Sequence, residues 1–156
     1  MIDSRKTSID NYKMLANAII AQAVSDYVSY YKKELRYRDG NVNYRKIKNL
    51  EDSIRRCRTD SARESKQKSL VKLLNKLHSI RVETTELEEF FDSEYFRVLS
   101  CGEYSGKDIK KLCRMKAQKL IDKENEELLK KEEEKRKNNS SKGKKENDRK
   151  SVRVHL

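Results

Sequence analysis

Leu87-Glu-Glu-Phe-Phe-Asp-Ser-Glu-Tyr-Phe-Arg-Val-Leu-Ser-Cys-Gly-Glu-Tyr-Ser-Gly106 is the densest apolar and aromatic stretch of a very polar chain. All three phenylalanines of the protein lie in it, and Phe90, Phe91, Tyr95, Phe96, Val98 and Leu99 fall within ten residues. The rest of the chain offers helical patterns with narrow apolar stripes, and such stripes need something to close on. The stretch reads as that plug. Thr85-x-x-Glu88 before it has the form of a capping box, and Ser93 is placed to cap a second short turn. Residues 101–106 read as a loop, with Ser105 as a further cap.

Working outward, the pattern is helical on both sides. Ile9, Tyr12, Leu15, Ala16, Ile19, Ile20, Ala23, Tyr27 and Leu35 recur at three and four residues after a cap at Ser8, which predicts a long amphipathic first helix. Asp39-Gly40-Asn41 stops it. Ile47, Leu50, Ile54 and Cys57 make a narrow seam on a second helix over 43–58. Thr59-Asp60-Ser61 can break that helix, with Asp60 or Ser61 as the next cap. No Gly or Pro forces the break, so one helix running through 59–63 is the alternative. Leu70, Val71, Leu73, Leu74, Leu77 and Ile80 mark a third helix. Ile109, Leu112, Cys113, Lys116 by its stem, Leu120 and Ile121 mark the last, continued faintly by Leu128 and Leu129. With no proline, four glycines and 41% charged residues in 156, the fold class is all-α: a helical bundle of long amphipathic helices. Residues 1–137 form the helical domain. Residues 138–156, where Val152, Val154 and Leu156 are the large apolar side chains, are expected to be a disordered basic tail.

The net charge is +12, and it is unevenly spread. Residues 31–82 hold 16 basic and 6 acidic side chains, while 83–106 hold one basic and seven acidic. Lys32, Lys33, Arg36, Arg38, Arg45, Lys46, Lys48, Arg55, Arg56 and Arg58 crowd the end of the first helix and the second. Arg45 and Lys48, and again Arg55 and Arg58, stand one helical turn apart, a spacing suited to neutralising phosphates. Tyr30, Tyr37 and Tyr44 are interleaved as candidate stacking residues. A nucleic-acid or nucleoprotein face is therefore expected, without a recognisable base-reading motif.

Other chemistry is thinner. Glu83, Glu86, Glu88, Glu89, Asp92 and Glu94 are read as exposed acids near helix N-termini rather than metal ligands. His78 and Cys101 are the one conceivable base–nucleophile pair, and structural roles suit them better. No phosphate loop or zinc motif is present, so no catalytic residue, metal or cofactor is expected. Phe91 and Tyr95 are candidates for contact with a protein partner, although sealing a lean core is the reading preferred for the aromatics. Cys57, Cys101 and Cys113 form no motif and are odd in number, which fits a reducing compartment. No run approaches the roughly 18 apolar residues of a membrane span. A cytoplasmic protein of a bacterial host cell, with no membrane partner, is the expectation.

Ala18-Ile-Ile-Ala-Gln-Ala-Val-Ser-Asp-Tyr27, the run 87–100 and Gly102-Glu-Tyr104 together resemble a group of small helical proteins of phages and integrative elements of Gram-positive bacteria. The resemblance covers about a third of the chain and leaves out the basic middle and the tail. It implies a mobile-element origin, no known active site and, by genetic context, action on host defence. The expected function is non-enzymatic binding of nucleic acid or of a nucleoprotein complex such as a CRISPR effector, as an anti-CRISPR or other anti-defence inhibitor. The alternative is a structural or regulatory helical protein that binds only protein, as a homodimer through the first helix or the Ile47–Cys57 seam.

Overall fold

The computed structural model describes the backbone of residues 4–152 and the side chains of residues 4–141. Five helices follow one another: α1 (Ser4–Leu35), α2 (Val42–Arg56), α3 (Asp60–Asp92), α4 (Glu94–Leu99) and α5 (Gly106–Val152). Among the described residues there is no strand, and the fold is an all-α helical bundle. The chain divides into two units, residues 1–121 and residues 122–156.

In the first unit α1 runs antiparallel to the second half of α3. Ala16, Ile20, Ala23, Tyr27, Val28 and Leu35 are its buried face, and the two alanines let a neighbouring helix approach closely. The stripe starts later than the spacing predicts, because Ile9, Tyr12 and Leu15 are exposed. α1 also starts earlier than a cap at Ser8 implies. It ends as expected: Gly40 has φ +81°, a conformation that costs glycine little. The Asn41 amide donates to the Leu35 carbonyl at 2.7 Å. That side chain makes no cap bond for α2.

The chain breaks between α2 and α3, so the single-helix alternative does not hold. Thr59, not Asp60 or Ser61, caps α3 by accepting from the Ala62 amide. The capping box at Thr85 does not form. Thr84 is buried and its hydroxyl donates to the Ile80 carbonyl at 2.9 Å, inside an unbroken helix. With no Gly or Pro nearby, the Thr pair cannot stop a helix whose next turn buries Phe91. The break comes at Ser93, which closes α3 and opens α4. Its hydroxyl donates to the Phe90 carbonyl at 2.6 Å and accepts from the Phe96 amide at 3.2 Å.

The turn after α4 uses positive φ at Cys101 (52°) and Gly102 (70°). α5 then starts directly against the end of α3. A Cβ placed on Gly106 would lie 2.0 Å from the Phe91 carbonyl oxygen, so only a bare backbone fits. Ser105 contributes its backbone carbonyl, 3.0 Å from the Ile109 amide. Cys113, Ala117 and Ile121 are buried at every fourth position of α5. Leu112 and Leu120, expected on that side, are exposed, and so are Leu128 and Leu129. Ala117 is buried in their place.

The plug is real. Phe91, Phe96 and Leu99 join the α1 stripe and the opening turns of α5 in one core cluster. Phe91 and Phe96 meet edge to face at 5.4 Å, and Phe90 meets Phe96 at 5.7 Å, the tilted geometry that aromatic quadrupoles favour. One polar clasp crosses this core. The Tyr27 hydroxyl donates to Glu88 at 2.7 Å, and Arg114 donates to the same hydroxyl at 2.9 Å and to Glu88 at 3.0 Å. Three helices are thus tied at one point, with the buried phenol satisfied on both sides.

The second unit is the remainder of α5. Residues 126–141 are exposed throughout, which places them at the low end of local stability. Helical backbone runs to Val152, within the span where composition predicts a disordered tail. Val154 and Leu156 lie outside the described residues.

Candidate nucleic-acid interface

α2 and the first half of α3 form a two-helix arm unlike the rest of the molecule. α2 buries no residue, and α3 buries none before Ile80. Ile47, Leu50 and Ile54 face Leu70, Leu73 and Leu77, all half-buried. Arg63 donates to the Cys57 carbonyl at 3.1 Å across the joint between the two helices. The seam fits the spacing read from the sequence, and α3 occupies it.

Away from that seam the arm is cationic. Arg45, Lys46, Lys48, Arg55, Arg56 and Arg58 are all exposed. Lys48 pairs with Glu51 at 3.7 Å and Arg55 with Asp52 at 4.0 Å, both on open surface where such pairs contribute little. Arg45 donates to the Gly40 carbonyl at 3.1 Å. Lys46, Arg56, Arg58, Lys72 and Lys76 have no ion pair among the described residues.

Lys33, Arg36 and Lys76 converge on a cleft of about 320 Å³ where α1 ends beside α3. Asn43, Ser79, Tyr37 and Ile80 complete its wall. Lys33 and Arg36 belong to the basic set read from the sequence. Lys76 and Ser79 do not, and their one signal is that Lys72 and Lys76 stand a helical turn apart. Lys32 is half-buried beside them, and Arg38 turns to Tyr31, donating to its hydroxyl at 3.1 Å.

The aromatics divide. Tyr37 is buried, and burial also pushes its phenol above the ordinary range, so its ring is not open to a base. Tyr44 is half-buried, with Lys48 over its face at 5.6 Å from the ring centre. Tyr30 has Lys33 over its ring at 4.8 Å. It lines a second concavity, an open groove of about 670 Å³ between α1 and α3. That groove has an apolar floor of Ile19, Ala23, Leu87 and Phe90 and acids at Asp26, Glu83 and Glu86. Residues 19, 23, 26, 30 and 33 follow one face of α1 at steps of four and three. The acidic groove and the basic cleft therefore lie along the same α1–α3 seam, with the sign changing between Tyr30 and Lys33.

Of the aromatics proposed for partner contact, Phe91 is buried in the core and Tyr95 is exposed, edge-on to Phe90 at 6.2 Å. His78 is exposed in the middle of α3 and Cys101 lies in the loop after α4. Among the described residues no three His, Cys, Asp or Glu side chains are grouped to hold a metal. Glu88 is committed to the clasp. There the Tyr27 phenol is pushed well above its usual range by burial and by its bond to Glu88, and the Arg114 guanidinium is held charged by Glu88. The arrangement can neutralise a polyanion along the arm and cradle an anionic group in the cleft. No helix of the described residues is long and apolar enough to cross a membrane. No family model, curated protein or solved structure matches the chain.

Proposed function

We propose that the protein is a non-enzymatic binder of nucleic acid or of a nucleoprotein complex, which it engages through the basic arm. One observation carries the reading. The arm's cations are presented on α2 and on the first half of α3, which bury no side chain of their own, so the core does not explain their presence. Sixteen basic residues over 31–82 exceed what solubility asks of a chain this size. Lys46 and Arg56 on α2 and Arg58 just after it would meet phosphates, and Lys33, Arg36 and Lys76 would hold one in the cleft. The mobile-element resemblance suggests the narrower form, an anti-defence inhibitor that occupies the polyanion path of a CRISPR effector.

The test is anisotropy with labelled RNA and duplex DNA of about 20 nucleotides, titrated between roughly 50 and 200 mM salt. Affinity is expected to fall steeply with salt. The triple variant Arg55→Glu, Arg56→Glu, Arg58→Glu is expected to bind at least about tenfold more weakly with unchanged far-UV circular dichroism. Salt-independent binding, or unchanged affinity in the triple variant, overturns the reading. The protein-directed alternative is favoured by a different observation, a face of α3 that nothing among the described residues covers.

A further inference from the structure

α3 carries two apolar rows, and the fold uses one. Leu70, Leu73, Leu77 and Ile80 turn toward α2 and α1. At about 100° per residue, Gln67, Val71, Leu74, His78, Val82 and Thr85 share another strip, facing away from both. All six are exposed, with Val71 at 53%, Leu74 at 45% and Val82 at 43%. None of the six is an Asp, Glu, Lys or Arg, in a chain where such residues make up 41%. Their steps of four, three, four, four and three are close to the seam of a helix pair.

We infer that this strip is the contact face of a homodimer in which the α3 helices of two copies pack antiparallel. The charges along α3 select both the occupant and its direction. Residues 60–77 hold five basic and two acidic side chains, and residues 78–92 hold one basic and five acidic. A parallel pair sets like halves together. An antiparallel pair sets the basic half of each copy against the acidic half of the other. Centring the pair on the helix midpoint, residue 76, brings Val71 against Val82, Leu74 against His78 and Gln67 against Thr85. It also brings Lys68 within about two residues' rise of Glu86 of the second copy. Within one copy, among the described residues, Lys68 pairs with Glu64, at 3.6 Å and with both side chains largely exposed. Exchanging that partner costs little. The proposal does not rest on the polyanion reading, because Lys72, Lys76 and the cations of α2 lie off the strip.

A contact this narrow is smaller than the roughly 1,600 Å² of a standard interface, so association is expected on the order of micromolar or tens of micromolar. Sedimentation velocity of the full chain up to about 100 µM is expected to show a concentration-dependent dimer. Leu74→Glu is expected to weaken it at least about tenfold while far-UV circular dichroism is unchanged. A monomer throughout that range, or a dimer that survives Leu74→Glu, overturns the proposal. Direction is read by cross-linking. Val71→Cys and Val82→Cys are made separately in a chain with Cys57→Ser and Cys101→Ser, and are oxidised alone and mixed. Antiparallel packing holds the two copies of residue 71 about 15 Å apart along the axis, beyond disulfide reach. The mixture is therefore expected to cross-link and each variant alone is not. Self-linking of each variant with none in the mixture overturns the antiparallel pairing.

Discussion

The two ends of α3 live in different chemistry. Its C-terminal end meets Phe91, Phe96, Leu99 and the buried residues of α1 and α5. Among the described residues its N-terminal end meets α2, across a half-buried seam. The acidic end of this helix is where apolar side chains are buried, and the basic arm is where they stay half-buried or exposed. Stability and surface charge are thus assigned to separate stretches, and either can be altered without the other.

That separation sets the size of each expected effect. Phe91→Ala removes a ring packed against Tyr27, Phe90 and Phe96, and urea unfolding is expected to show a loss of about 4 kcal/mol. A loss below about 1 kcal/mol would mean that the aromatic end does not carry the fold. Gly106→Ala drives a methyl into the Phe91 carbonyl, and a loss of about 3 kcal/mol is expected in the same measurement. Ile54→Ala, in the arm, is expected to cost about 1 kcal/mol, because that side chain is only half-buried. A cost equal to that of Phe91→Ala would erase the distinction between the two ends. The smallest effect is a pH dependence. The folded state holds the Tyr27 proton above the usual phenol range, whereas in the unfolded chain it leaves near pH 10. The unfolded state then binds fewer protons, so this contribution is full below about pH 10 and is lost as pH rises further. Tyr27→Phe is expected to flatten the alkaline fall of stability measured by urea titration, and an unchanged slope would refute the assignment.

Much of this fold was readable from residue types alone. Phe91, Phe96 and Leu99 stood out as a plug because little else in the chain competes with them. Ser93 and Asp39-Gly40-Asn41 were legible as stops because their local chemistry needs no distant partner. Thr85 misled for the converse reason: its capping box is locally sound, but continuing α3 buries Phe91, and that gain is tertiary. Ile9 and Leu112 sit in good helical register, yet periodicity does not say where a helix's partner ends. Ala117 was invisible, since an alanine marks close approach only once the neighbouring backbone is placed. The basic cleft was half visible. Lys33 and Arg36 belong to an obvious cluster, but Lys76 lies some forty residues later and joins them only through the antiparallel return of α3.

α3 runs without a break from the solvated arm into the packed core, 33 residues in one rod. Its backbone amides therefore report on both environments in sequence. Deuterium uptake along it should form a gradient, fast after Thr59 and slowest near Thr84 and Phe91, and not a uniform block. A molecule seated on the arm would slow the fast end of that gradient first, and so announce itself in the exchange pattern of a single helix.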